Sequence, residues 1–376
     1  MSFPVSALLG RINEESIDKS KIFKQLRYEI LNNALFYVVL IALVLSAIIS
    51  CIFLGDSIAA IAIKMAFRAA RFVLLCVSIT FIVWLLVFFR HDCSLADYSR
   101  LSWDRIKVGT HNSKVIKVLY SAVIFAVILA PYLYWKMKIP QMNPFSWDET
   151  LAAWDSQLFF NRQPWEILQP IFEDRRILTR IIDSLYLLWV FMCFAFFCGL
   201  FLSGKSHIRS ARRQYWLATI LSWVIIGLFA ATAMSSAGPV YFQYVTGDAQ
   251  TFGPLLEYLR SFGSPDTHVY NAQGLHAVDA ANHLWGVYRG AIDAPAGISA
   301  MPSMHNAQAL LFSLVAFRIR LWFGLLMALY AVIILIGSVH LAWHYFVDGI
   351  VAFAMVVPIW YFSGWILDRD RQTAPA

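Results

Sequence analysis

Eight long runs of apolar residues, separated by polar segments, dominate the pattern along the chain. Because about 20 apolar residues span the hydrocarbon core of a bilayer, most of these runs are long enough to cross a membrane as helices. They occupy residues 34–54, 69–89, 116–135, 181–202, 215–235, 303–317, 321–340 and 346–366. The runs are continuous and do not alternate with a period of two, which disfavours membrane strands. The pattern predicts an all-α, polytopic membrane helix bundle of about eight transmembrane helices.

Three polar segments have a character of their own. Residues 1–33 have the pattern of an amphipathic helix, 136–180 is rich in Trp and Phe, and 236–302 holds many Gly, Pro, Asp and His residues. We expect helices on the membrane surface in 136–180 and a loop or cap over the membrane end in 236–302. Within the first of these, Asp148 and Asp155 are expected to cap the surface helices.

Clusters of Lys and Arg predict the orientation, because short cytoplasmic loops carry an excess of them. Every second polar segment is basic. The clusters are Arg11, Lys19, Lys21, Lys24 and Arg27; Arg90, Arg100, Arg105, Lys107 and Lys114; Lys205, Arg209, Arg212 and Arg213; Arg318 and Arg320; Arg369 and Arg371. Both termini are then cytoplasmic, whereas 136–180, 236–302 and the turn from His340 to His344 lie on the extracytoplasmic face, periplasmic or lumenal.

Composition agrees with a membrane protein. Hydrophobic residues make up 60% of the 376 positions and charged residues 14%, against roughly half and a quarter in soluble domains. The net charge of +7 does not indicate a nucleic-acid partner, since the basic residues sit in clusters between apolar runs. The five cysteines show no metal-ligand spacing, and we expect no disulfide framework and no cofactor.

The first cluster with catalytic potential is "GISAMPSMHNAQ", residues 297–308. Ser303 and Pro302 stand where the sixth run begins, and Ser is a preferred N-cap residue. The free amides of a first helical turn favour an anion, and the Ser303 hydroxyl adds a donor. His305 lies in the same turn and can reach the same ligand. In the alternative, Ser303 only caps the helix and His305 is an interfacial polar residue.

The second cluster is "GSVHLAWHYFVDG", residues 337–349. His344 and Asp348 are four residues apart and would share one helix face. A carboxylate bound to one ring nitrogen leaves the other nitrogen as a nucleophile or base. The alternatives are a structural ion pair and a metal site that adds His340. Zinc requires three or four ligands in a recognisable pattern, so no metal is predicted.

Together the clusters predict phosphoryl transfer through a covalent phosphohistidine. His344 would attack phosphorus while Asp348 orients its ring, and His305 would protonate the departing alcohol oxygen. Amides near Ser303 would stabilise charge on the phosphate oxygens.

The motifs "AMPSMH" and "HYFVD" resemble the second and third signature motifs of the type 2 phosphatidic acid phosphatase superfamily. They are most similar to the branch of inositol-phosphorylceramide synthases, the inositolphosphotransferases. The resemblance implies a six-helix catalytic core, with His305 as the acid, His344 as the nucleophile and Asp348 as its orienting group.

Two cations of the phosphatase branch are missing from this chain. The first motif there is Lys, six residues and Arg-Pro, where this chain has "SSAGPVYF" (235–242), and an arginine of the third motif is replaced by Ser338. We expect Ser303, Arg289 and His340 to bind the substrate phosphate, with Arg260 as an alternative cation. The departure favours a transferase over a plain phosphatase.

The sequence therefore predicts a membrane enzyme that moves a phospho-headgroup, such as inositol phosphate, from a phospholipid donor to a lipid acceptor. A phosphatase that uses water as acceptor is the alternative, and a non-catalytic transporter or scaffold is the alternative of another class. The expected organisation is a cytoplasmic segment (1–33), two additional transmembrane helices (34–115) and the catalytic core (116–376).

Overall fold

The computed structural model describes residues 29–57, 110–203, 205–263 and 274–373. Their helices are α1 (Ala34–Leu54), α2 (Thr110–Met142), α3 (Asp148–Leu158), α4 (Pro164–Phe172), α5 (Arg176–Gly199), α6 (Ser206–Val224), α7 (Phe242–Thr246), α8 (Gly253–Arg260), α9 (His276–Tyr288), α10 (Met304–Phe317), α11 (Leu321–His340) and α12 (Phe346–Thr373). A π-helical turn, Ile225–Ala230, extends α6 to Ala233. These residues contain no strand, which confirms the all-α prediction.

Six of these helices are long and apolar enough to cross a membrane: α1, α2, α5, α6 with its extension, α11 and α12. Large apolar side chains such as Phe53 on α1 and Leu321 on α11 are mostly exposed, as lipid-facing residues are. The chain is therefore an integral, multi-pass membrane protein. The predicted run 69–89 and most of the predicted N-terminal segment lie outside the described residues.

Helix α10 is the centre of the bundle. Its 14 residues rise only about 21 Å, less than the thickness of the hydrocarbon core. Leu311, Phe312 and Val315 are fully buried, and α10 packs against α5, α6, α11 and α12. The corresponding run in the sequence is short because protein, and not lipid, surrounds this helix.

Helices α1 and α2 run parallel to each other. The hydroxyl groups of Tyr37 and Tyr120 bond near the start of both helices, and Ser50 and Tyr134 bond at 3.0 Å near their ends. Lys138 on α2 also pairs with Asp56, just after α1, at 2.9 Å. Ser57 and Thr110, the described residues on either side of 58–109, therefore lie at opposite ends of the bundle.

The basic segments that the structure describes meet at one end of the bundle. Arg212 on α6 pairs with the buried Glu29 at 2.5 Å. Arg318 donates to the Gln214 side chain at 2.7 Å, and Gln214 donates to the Trp360 carbonyl of α12 at 2.9 Å. The start of α1 and the second half of α12 thus share this end. That it faces the cytoplasm stays a prediction.

Helices α3, α4 and α7–α9 cover the other end, and buried carboxylates fasten them. Asp148 is 1% exposed and does not cap a surface helix. It accepts the amides of Ala237 and Gly238 at 2.9 and 2.8 Å, and the Tyr345 hydroxyl at 2.8 Å. One carboxylate thus joins α3 to the segment after α6 and to the turn before α12.

Two further carboxylates make the same contact elsewhere. Asp155 of α3 accepts the amides of Phe346 and Val347 at 2.7 and 2.9 Å and so caps α12, a membrane-spanning helix. Asp183 of α5 accepts the first two amides of α9 at 2.8 and 2.9 Å. In each case a carboxylate satisfies two successive amides of a first helical turn, which have no partner within their own helix.

Candidate active site

His344 lies in the turn that joins α11 to α12, and not within a helix as its spacing from Asp348 suggests. Its amide donates to the Ser338 carbonyl at 3.0 Å, which closes the turn, and Ala342 adopts a positive φ of 60° there. The Asp348 carboxylate in the first turn of α12 accepts the Tyr345 amide at 3.1 Å. The chain reversal therefore brings the His344 ring and Asp348 together.

The hydrogen bonds of His344 fix its tautomer. Ring atom Nδ1 lies 2.9 Å from the Ala300 carbonyl oxygen and 3.3 Å from Oδ2 of Asp348. A carbonyl oxygen only accepts, and a carboxylate accepts when ionised, so Nδ1 carries the proton. The lone pair of Nε2 is then free for attack on an electrophile, and it faces His305.

His305 lies in the first turn of α10 and meets His344 directly. Its Nδ1 is 3.5 Å from Nε2 of His344, and the ring centroids are 5.6 Å apart. Tyr186 stacks on the His305 ring at 4.5 Å, and the Trp189 ring lies 4.3 Å away. Two imidazoles 39 positions apart in sequence are thus in contact. Tyr186 and Trp189, which the sequence analysis did not single out, flank one of them.

None of the three side chains predicted to bind phosphate forms a hydrogen bond or ring contact with His305 or His344. The Ser303 hydroxyl is fully buried and accepts the Asn306 amide, so it caps α10. His340 is also buried; it bonds to Thr179 at 2.9 Å and stacks on Phe172. Arg289 is exposed at the end of α9. Ser303 does adjoin the site, since its backbone amide donates to the Asp348 carbonyl at 3.2 Å. The phosphate-binding role of the three residues stays a prediction.

A cavity of about 470 Å³ lies beside the two histidines, between α2, α5, α6, α9 and the segment before α10. Its walls are mostly apolar and aromatic, and they include Leu133, Val190 and Trp223. The Lys, Asp and His residues of the wall are Lys136 of α2, Asp183 of α5, His276 of α9, His305 and His344. A cavity that combines apolar walls with a few ionisable residues suits an amphiphile whose polar group contacts His305 and His344.

Burial, together with the nearby Lys136 ammonium, lowers the pKa of His344 to about 3, although the bond to Ala300 opposes the shift. A lowered pKa leaves the ring neutral above that pH. We expect His344 to react with diethyl pyrocarbonate down to about pH 4, as mass spectrometry of its peptide would show. N-acetylhistidine in the same buffer should lose reactivity below about pH 6.5. A His344 profile that follows N-acetylhistidine would contradict this prediction.

Comparison with known proteins gives one match. A family model described as the PAP2 superfamily matches residues 149–362, which is more than half of the chain and includes both histidines and Asp348. No curated protein and no solved structure matches the chain.

Proposed function

Because the chain belongs to the PAP2 superfamily, a superfamily of membrane phosphatases and phosphotransferases, we propose that it transfers a phospho-headgroup from a phospholipid to a lipid alcohol. The observation that carries the proposal is the free Nε2 of His344, held against His305 at the edge of a largely apolar cavity. The motifs of the inositolphosphotransferase branch support inositol phosphate as the headgroup. The extracytoplasmic face and a catalytic core of residues 116–376 are part of the same proposal.

In the first half of the reaction, Nε2 of His344 attacks phosphorus and the bond from phosphorus to the donor's lipid oxygen breaks. His305 donates a proton to that oxygen, and the lipid alcohol leaves. The Asp348 carboxylate and the Ala300 carbonyl hold Nδ1–H and stabilise the positive charge that develops on the ring. In the second half the acceptor hydroxyl attacks phosphorus, the N–P bond breaks and His305 takes the acceptor's proton.

The contact between the imidazoles limits where phosphorus can sit. In-line displacement places the attacking nitrogen and the leaving oxygen on opposite sides of phosphorus. A gap of 3.5 Å between the two ring nitrogens has no space for a phosphoryl group. The phosphate therefore enters from the cavity, and the His305 ring moves away from His344 between its two aromatic neighbours.

Apolar walls favour transfer over hydrolysis. An acceptor with a hydrocarbon chain gains from burial beside side chains such as Leu133 and Val190, whereas water does not. A site that holds few waters near the phosphohistidine also lowers the rate of its hydrolysis.

Double labelling tests the choice between transfer and hydrolysis. Purified protein in mixed micelles would receive phosphatidylinositol labelled with tritium in inositol and with ³²P in phosphate, together with ceramide. Transfer moves both labels together into a new lipid only when the acceptor is present. Release of water-soluble label at the same rate without acceptor would establish a hydrolase and overturn the transferase proposal.

His305→Ala tests the general acid. We expect turnover of a lipid substrate, whose alkoxide is a poor leaving group, to fall by about 10²- to 10⁴-fold. A phosphodiester with a p-nitrophenol leaving group needs no proton at that oxygen, so its cleavage should fall far less. Because His305 also takes the acceptor's proton in the second half-reaction, release of the leaving group from both substrates would be measured in a single turnover, side by side in the variant and the wild type. An equal loss for both would show that His305 does not act as the acid.

A further inference from the structure

We propose that Lys136, near the end of α2, is the cation that binds the substrate phosphate, an inference that rests on the proposed function. Lys136 lines the same cavity as His305 and His344. Among the residues that the structure describes, no carboxylate lies within 4.0 Å of its ammonium. Asp183 also lines the cavity, but its carboxylate accepts the first two amides of α9. A cation in a mostly apolar cavity without an acidic partner in contact is costly, and an anionic ligand removes that cost.

The backbone around Lys136 is fixed to the same segment that holds His344. A β-carbon at Gly297 would lie 2.6 Å from the carbonyl carbon and oxygen of Lys136, so α2 packs directly on the Gly297 backbone. Three residues later, the Ala300 carbonyl binds Nδ1 of His344. Residues 297–300 therefore contact both the Lys136 backbone and the His344 ring, and they fix the position of one residue relative to the other.

The assignment accounts for the missing cations of the phosphatase branch. Arg289 is exposed on α9, and Arg260, also exposed, ends α8. Neither residue lines the cavity. In this assignment the phosphate charge is balanced by Lys136 of α2, which precedes residues 149–362, the part of the chain that matches the superfamily.

A lysine suits the ligand of this site. Its ammonium is a compact point charge with three donors, which binds the non-bridging oxygens of a phosphodiester monoanion or of a phosphoryl group on His344. It needs no fixed planar geometry, so it can follow the phosphorus between the donor and the acceptor half-reactions. The ligand class is a phosphate ester whose apolar part fills the rest of the cavity.

The test uses Lys136→Met with Lys138→Met as its matched control. Lys138 stands two residues further along α2, pairs with Asp56 at 2.9 Å and does not line the cavity. The full-length protein in detergent micelles would be titrated with orthovanadate and inorganic phosphate, with the increase in melting temperature as readout. We expect Lys136→Met to weaken both ligands by about tenfold to a hundredfold, and Lys138→Met to leave their affinity unchanged.

Stability without ligand separates a binding role from a structural one. Removing an unpaired ammonium from apolar surroundings should leave the ligand-free melting temperature of Lys136→Met equal to or above that of the wild type. A lower melting temperature with unchanged vanadate affinity would make Lys136 structural and overturn the inference.

Activity distinguishes this inference from the proposed function. If the wild type transfers headgroups but Lys136→Met keeps its KM and its vanadate affinity, the function stands and the role of Lys136 is wrong. If vanadate binding depends on Lys136 while no headgroup is transferred, the anion site stands and the transferase proposal fails.

Discussion

Replacing His344 by asparagine is expected to lower turnover by at least about ten-thousandfold while the protein still folds. The asparagine amide can take the place of Nδ1–H and donate to the Ala300 carbonyl and Asp348. It has no atom where Nε2 stands, so no N–P bond can form. Substitution by alanine is a poorer experiment, because it leaves the buried Asp348 carboxylate without the imidazole. Turnover would be measured with the doubly labelled donor lipid, and folding by thermal melting.

A second readout reports the covalent intermediate itself. Brief incubation of the wild type with ³²P-labelled donor, followed by alkaline quenching, should leave acid-labile label on the peptide that contains residue 344. His344→Asn should carry no label, whereas His207→Asn, which alters an exposed histidine, should be labelled like the wild type. Label on His305 in place of His344 would reverse the assigned roles. Undiminished turnover of His344→Asn would contradict the assignment of His344 as the nucleophile and, with it, the proposed mechanism.

Asp148→Ala is expected to destabilise the fold by about 3–6 kcal/mol, the largest effect we predict for a residue outside the cavity wall. The substitution leaves two buried amides, of Ala237 and Gly238, and the Tyr345 hydroxyl without the acceptor they share. Each unsatisfied buried donor costs about 1–3 kcal/mol. Because Tyr345 directly follows His344, activity should fall at temperatures well below the melting transition.

Glu149→Ala provides the matched control. Glu149 is the next residue of the same first turn of α3, and it is exposed. Its removal should change stability by no more than about 0.5 kcal/mol. Asp148→Asn should lie between the two variants, since an amide oxygen can still accept but the amide nitrogen cannot. Equal melting temperatures for Asp148→Ala and Glu149→Ala would show that the carboxylate does not fasten the outer helices.

Hydropathy predicted the helices well because a helix that is exposed to lipid requires a continuous run of apolar residues. Apolar runs such as 34–54 and 321–340 coincide with α1 and α11 to the residue. The run 303–317 also became a helix, but its shortness reflects a position among protein neighbours, which hydropathy does not report. The two predicted membrane spans between His305 and His344 imply that both histidines lie at the same end of the bundle.

Polar contacts inside the bundle were harder to predict. Ser303 could have bound an anion or capped α10, and the sequence allows both; the structure shows the cap. Asp148 and Asp155 are seven apart and so lie on one face of α3, but nothing local shows that the face is buried against distant amides. Lys136 follows an apolar run, a position where lysines ordinarily extend to the interface. The structure shows that its backbone packs on Gly297 and that it lines the same cavity as His344.

The contact between Asp155 and the start of α12 has a consequence for how substrates come in. The positive pole of a helix attracts anions, but here a protein carboxylate already occupies the pole of the helix that follows His344. A lipid phosphate arriving from that direction therefore finds the amides of Phe346 and Val347 already bound. The proposed phosphate site at Lys136 lies on the α2 side of the cavity. We therefore expect the phosphate to approach His344 from α2 and not from the start of α12.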